Sequence, residues 1–137
     1  RLGGVLTRLN TLFLNTCEAA VLSGRESGGL RHALQQAQCL RDRGLKQVVI
    51  TAGAQGVAWA DCGGCGSLTA PIAETGNLSG AGDALAAATI AALEQDHSLR
   101  TAARWGLSAG IIAAQPGPSR TALSWHALEQ TAKLIDD

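Results

Sequence analysis

Methionine is absent from all 137 residues, the first position included. A chain that opens on Arg1, inside a stretch that reads as helix, is expected to be a processed or truncated piece of a longer protein. Net charge is absent too: 11 basic and 11 acidic residues cancel, and the basic ones are scattered. That excludes the electrostatic footprint of a nucleic-acid binder, which needs basic side chains gathered against phosphates. No apolar run approaches the ~20 residues of a membrane span, and no signal-peptide pattern opens the chain. The expectation is a cytoplasmic protein with neither nucleic acid nor membrane as partner.

Two common nucleotide-binding fingerprints are missing. There is no G-x-x-x-x-G-K-[ST] loop and no G-x-G-x-x-G turn. Gly53-Ala54-Gln55-Gly56 lacks the earlier glycine and runs into a strand, which excludes a dinucleotide-binding reading. The four cysteines are Cys17, Cys39, Cys62 and Cys65, and no Cys-His cluster forms around them. Cys62-Gly63-Gly64-Cys65 has metal or redox spacing, yet a structural zinc site needs two further ligands. A thioredoxin-like pair would open a helix after a strand rather than sit in a glycine-rich turn. His32, His97 and His126 stand apart, and His126 with Glu129 shares a helix face without a third ligand. No metal centre is expected from these groups.

What is present suits one globular domain with a real core: 46% of residues are hydrophobic and only 16% charged. Residues 11–14 are a short apolar run ending in Asn15 and read as a buried strand. A short helix over 16–22 follows, ended by Ser23-Gly24. Leu30, Ala33, Leu34 and Ala37 recur at i, i+3, i+4 and i+7, which predicts an amphipathic helix over 29–43. Arg41 and Arg43 favour its negative end, and Gly44 is its cap. Residues 46–51 form a β-branched apolar strand. Strand, helix and strand on short loops make a βαβ unit with parallel strands in a covered sheet. Two short strands, 56–60 and 66–70, flank the Cys-Gly-Gly-Cys turn as a hairpin. Ser98 caps a helix running to about residue 114, whose Ala102, Gly106, Ala109, Gly110 and Ala113 permit close packing. Pro116-Gly117-Pro118-Ser119 breaks the pattern before a last helix with Leu128, Thr131, Ala132 and Ile135 on one face.

The segment carrying most chemistry is Asn77-Leu78-Ser79-Gly80-Ala81-Gly82-Asp83, which leads into the apolar run 84–93. A helix start offers several unpaired N–H groups and about half a positive charge, so it attracts anions. Gly80 and Gly82 let the backbone approach a ligand with no side chain in the way. An aspartate at such a place repels a resting phosphate. It makes sense as the group that takes a proton from a hydroxyl attacking phosphorus. The plainer account is an ordinary capped helix.

Gly-Ala-Gly-Asp before an Ala-rich helix resembles the signature of the ribokinase-like (PfkB) family of sugar and nucleoside kinases. Two more pieces follow the family's order: Asn15-Thr16-Cys17-Glu18 matches its N-x-x-E motif, and Thr51-Ala52-Gly53-Ala54-Gln55-Gly56 its T-x-G-x-x-G turn. The resemblance implies a three-layer α/β/α fold with a mostly parallel sheet, of which this chain would be the C-terminal part. It implies Asp83 as catalytic base, with Gly80, Ala81 and Gly82 as anion hole. By the same resemblance Thr51, Gly53 and Gly56 lie along the phosphates of ATP, and Asn15 and Glu18 help place Mg2+. A helix cap with a first-turn acid is the alternative for that last pair.

One departure stands out. Where the family commonly has Asp-Thr ahead of Gly-Ala-Gly-Asp, this chain has Asn77-Leu78, so the associated monovalent-cation site does not carry over with its charge. The run 99–109, together with Leu9-Asn10-Thr11-Leu12, is similar to pseudouridine kinases within the family. The implied partner is a small-molecule sugar or nucleoside, with a homodimer left open. The competing class is a noncatalytic nucleotide-binding or assembly module of the same fold.

Overall fold

The structure is a computed structural model describing residues 8–69, 81–113, 125–133 and 135. Its elements run β1 (Leu12–Asn15), α1 (Thr16–Ser23), α2 (Leu30–Asp42), β2 (Val48–Thr51), a 3-10 turn (Gly53–Gln55), β3 (Gly56–Asp61), β4 (Gly64–Thr69), α3 (Ala81–Glu94), α4 (Leu99–Ala113) and α5 (Trp125–Ala132). They divide between two compact units, Arg1–Ser67 and Leu68–Asp137.

In the first unit the expected βαβ crossover is present. β1 lies parallel to β2, with Leu12 opposite Val48 and Asn15 opposite Thr51. Asn15 ends the strand because its side chain caps α1. Gly24 ends that helix in the left-handed region at φ 73°, its N–H donating to Ala20 O at 2.9 Å. Arg43 was expected to serve the end of α2. Its Nη1 instead donates to Leu22 O and Ser23 O, at 3.0 and 3.3 Å, and so satisfies carbonyls left open at the end of α1. A guanidinium reaches across sequence as easily as along it, which periodicity does not reveal.

The sheet order is β1-β2-β3-β4. The parallel character belongs to the crossover pair. β2 and β3 run antiparallel, from Val48 opposite Ala60 to Thr51 opposite Val57. A connection as short as Ala52–Gln55 can only reverse the chain, since a parallel return needs a dozen residues or more. Val48 and Ile50 face α1 and α2 with Ala58 and Ala60, packing against Ala19, Ala33, Ala37 and Leu40. Val49, Val57 and Trp59 are buried too, so both faces of the β2–β3 ribbon are covered. The hairpin turns at Cys62-Gly63, where Asp61 Oδ1 accepts from Gly63 N at 2.9 Å. Gly66 is bare because a Cβ there would lie 2.8 Å from Trp59 Cζ2. All four cysteines are free thiols.

The second unit is helical where it is described. Ser98 Oγ accepts from Thr101 N at 3.2 Å, the cap the sequence predicts for α4. α4 buries Leu99, Ala102, Ala103, Gly106, Leu107, Ala109, Gly110 and Ile112. Ala88, Ala109 and Ile112 form a core, with Trp105 packed against it. Arg104 Nη1 donates to Ala132 O and Ile135 O, which anchors the chain at the end of α5. No helix among the described residues is long and apolar enough to cross a membrane.

Candidate active site

In the second unit the candidate residues lie at the start of α3. Ala81, Gly82 and Asp83 are the first three residues of the helix. Their N–H groups precede the first residue that has a helical acceptor four positions back, so they have no partner within the helix. Gly82 and Asp83 are exposed. A Cβ built on Gly82 meets nothing within 4 Å, which shows open space where a ligand would approach the backbone. Asp83 makes no hydrogen bond or ion pair with any described residue. Its carboxylate stands on the first turn of α3, at the positive end of the helix dipole. Gly80 and the preceding Asn77-Leu78-Ser79 lie outside the described residues.

In the first unit the candidate residues lie at one end of the parallel strand pair. The register puts Asn15 and Thr51 side by side at the C-terminal ends of two parallel strands. That edge is where open α/β sheets take their ligands. The N-x-x-E motif and the T-x-G-x-x-G turn, 36 positions apart between these two residues, are thus brought together by the crossover. Asn15 Oδ1 accepts from Glu18 N at 2.8 Å, and Glu18 Oε1 accepts from Asn15 N at 3.1 Å. This is a complete capping box, so the plainer account of the pair is realised in the fold. The box engages one carboxylate oxygen of Glu18. Oε2 is outside it, and Glu18 is exposed.

The turn after Thr51 depends on its glycines. Gly53 sits at φ 57° and Gly56 at φ 138°, ψ −149°, backbone that side chains rarely allow. Ala52 N donates to Gly56 O at 2.9 Å and Gln55 N to Ala52 O at 3.1 Å, which closes the loop. Magnesium fits this edge in a limited way. It usually keeps several waters and takes one or two carboxylates plus phosphate oxygens. Glu18 offers one such carboxylate, and the described residues gather no group of three His, Cys, Asp or Glu.

Two residues escaped the sequence reading. Gln55 Oε1 accepts from Leu30 N at 2.9 Å and ties the turn to the start of α2. Gln36 is fully buried, its Nε2 donating to Thr16 O and Glu26 O at 3.1 and 3.0 Å. It holds the first turn of α1 and hence the ground under Asn15 and Glu18. A signal existed for it: Ala33, Gln36, Ala37 and Leu40 fall at i, i+3, i+4 and i+7, and all four are buried. The buried face of α2 is rotated one step from the predicted one, with Leu30 and Leu34 half-buried at its rim.

Known proteins provide a frame for both sets of residues. A family model described as pfkB family carbohydrate kinase matches residues 5–125. The 1-phosphofructokinase of Escherichia coli strain K12 is 29% identical over 92 residues, covering 64% of this chain and 30% of that protein. The pseudouridine kinase of the same strain is 35% identical over 83 residues, covering 60% of this chain and 26% of the relative. Among solved structures, phosphofructokinase-2 from Escherichia coli in complex with potassium superposes with a TM-score of 0.79 at 25% identity, covering 92% of this chain and 41% of that one. The chain thus spans less than half the length of each relative. The shared fold is ribokinase-like α/β.

Proposed function

This chain belongs to the pfkB family of carbohydrate kinases, and from that premise we propose that its protein transfers the γ-phosphoryl group of ATP to a hydroxyl of a sugar or nucleoside. The chain is the C-terminal part of such a kinase, acting in the cytoplasm. The observation carrying this reading is Asp83, exposed and without a partner among the described residues, on the first turn of α3 beside the open backbone of Gly82.

Asp83 accepts the proton of the attacking hydroxyl, assistance typically worth ~10²–10⁴ in rate. The amides of Gly80, Ala81, Gly82 and Asp83 hold the charge that builds on the transferred group, and such a donor is worth roughly 3–4 kcal/mol. Thr51, Gly53 and Gly56 present backbone to the nucleotide phosphates from the strand edge. Asn15 and Glu18 form the cap of α1, and the remaining carboxylate oxygen of Glu18 would help hold magnesium. Magnesium, when bound, neutralises phosphate charge. Among acceptors we favour pseudouridine, on the resemblance in residues 99–109 and the match to a pseudouridine kinase.

The test is Asp83→Asn in the full-length protein. Nucleotide affinity is expected to stay near that of the wild type while turnover falls by ~10²-fold or more. Unchanged turnover would remove Asp83 from the role of base.

A further inference from the structure

We infer that Gln55 is a positioning residue for the nucleotide turn, latching it to the start of α2, and that Gly29 is bare so that the latch can close. The inference rests on the kinase reading above. α2 begins at Leu30 on Gly29, a cap residue with no side chain to satisfy the first N–H groups. Gln55 supplies the missing acceptor from 25 residues away, at 2.9 Å from Leu30 N. The fit is close on both sides. A Cβ on Gly29 would run into Gln55 Oε1 and stand 3.1 Å from its Cδ and Nε2. Alanine at position 29 would therefore push the glutamine off the helix end.

The need for such a latch follows from the turn itself. Gly53 and Gly56 flank Gln55, and glycine is the residue with most backbone freedom to lose. Two backbone hydrogen bonds close the loop on itself but do not tie it to the body of the protein. Gln55 does. α2 is packed on β2 and β3 through the buried Ala33, Ala37 and Leu40, so its first turn is a fixed point. Fixing the turn before ATP arrives lowers the ordering cost of binding. The positive end of α2 strengthens the bond to the amide oxygen and would strengthen one to a carboxylate.

That last point separates a latch from a direct phosphate contact. Glutamate at position 55 keeps the acceptor for Leu30 N, whereas beside phosphates it would repel. The experiment uses the full-length protein as wild type, Gln55→Ala, Gln55→Glu and Gly29→Ala, each assayed for KM of ATP and of the sugar or nucleoside. Gln55→Ala and Gly29→Ala are expected to raise the KM for ATP about 3–10-fold, the worth of one hydrogen bond. The KM for the acceptor should stay within about twofold. The double variant should be no worse than either single one, since both remove the same contact. Gln55→Glu should recover most of the loss. General destabilisation would lower the active fraction without moving one KM alone. A Gln55→Ala enzyme with the wild-type KM for ATP, or a Gln55→Glu enzyme as impaired as Gln55→Ala, overturns the latch while the kinase reading stands. A wild-type protein that phosphorylates no sugar or nucleoside overturns both.

Discussion

Replacing Gly106 by alanine tests how α4 supports α3. Its Cβ would lie 2.8 Å from the backbone oxygen of Leu85 and 3.3 Å from Leu85 Cγ, and would run into Thr89 Oγ1. The first of these neighbours is main chain and cannot swing aside. Overpacking of this kind costs about 1–3 kcal/mol. The second loss is the Thr89 hydroxyl bond to Leu85 O, now 2.7 Å, in a side chain that is fully buried. Leaving that hydroxyl unpaired costs a further ~1–3 kcal/mol. Against this stands the ~1 kcal/mol that alanine gains over glycine inside a helix. The expected net loss is about 1–5 kcal/mol, read as a lower urea midpoint at unchanged slope. Leu85 follows Asp83 by two residues, so a backbone shift there also moves the proposed base. Turnover should fall more than substrate affinity, because misplacement by ~1 Å can cost ~10²-fold. An alanine variant as stable as the wild type, or more stable by the helix-propensity gain, would refute the close approach of the two helices.

Other outcomes follow from the same geometry. Gly82→Ala meets no atom within 4 Å, so stability should hold or rise by up to ~1 kcal/mol, while the methyl group obstructs the anion approach and phosphotransfer drops; full activity would place the anion elsewhere. Glu18→Gln keeps the capping box, since glutamine serves at that position. Its unfolding free energy should therefore stay put while the magnesium concentration for half-maximal rate rises, and an unmoved magnesium dependence would reduce Glu18 to a cap. In a panel of pseudouridine, ribose, fructose and adenosine, pseudouridine should give the highest kcat/KM; a faster sugar would end that assignment and leave the phosphotransferase reading intact.

Legibility in the sequence depended on whether a signal was local. The cap at Asn15, the left-handed end at Gly24, the cap at Ser98 and the glycine-rich turns were readable because each involves a few neighbouring residues and one backbone preference. The hairpin around Cys62-Gly63 was readable for the same reason. The antiparallel pairing of β2 with β3 was implicit in a connection too short for a crossover, yet family-level expectation favoured parallel strands. Arg43, Gln36 and Gln55 were not readable in their true roles. Each acts on backbone atoms 10 to 25 positions away, and no periodicity reports such reach.

The sequence by itself determined where the helices and strands lie, which residues are glycine by backbone necessity, and that a carboxylate stands at the opening of a helix. These follow from local conformational energy and from apolar spacing, both of which are properties of short segments. Only the tertiary structure decided that Asn15 and Thr51 share one strand edge, because a parallel crossover fixes their register. It alone decided that Gly29 and Gly106 are bare for closeness to a neighbour rather than for a turn, since that closeness is set by packing between distant segments. The physical reason is common to both: a residue's neighbour across the fold is chosen by proximity in space, which residue order constrains only weakly.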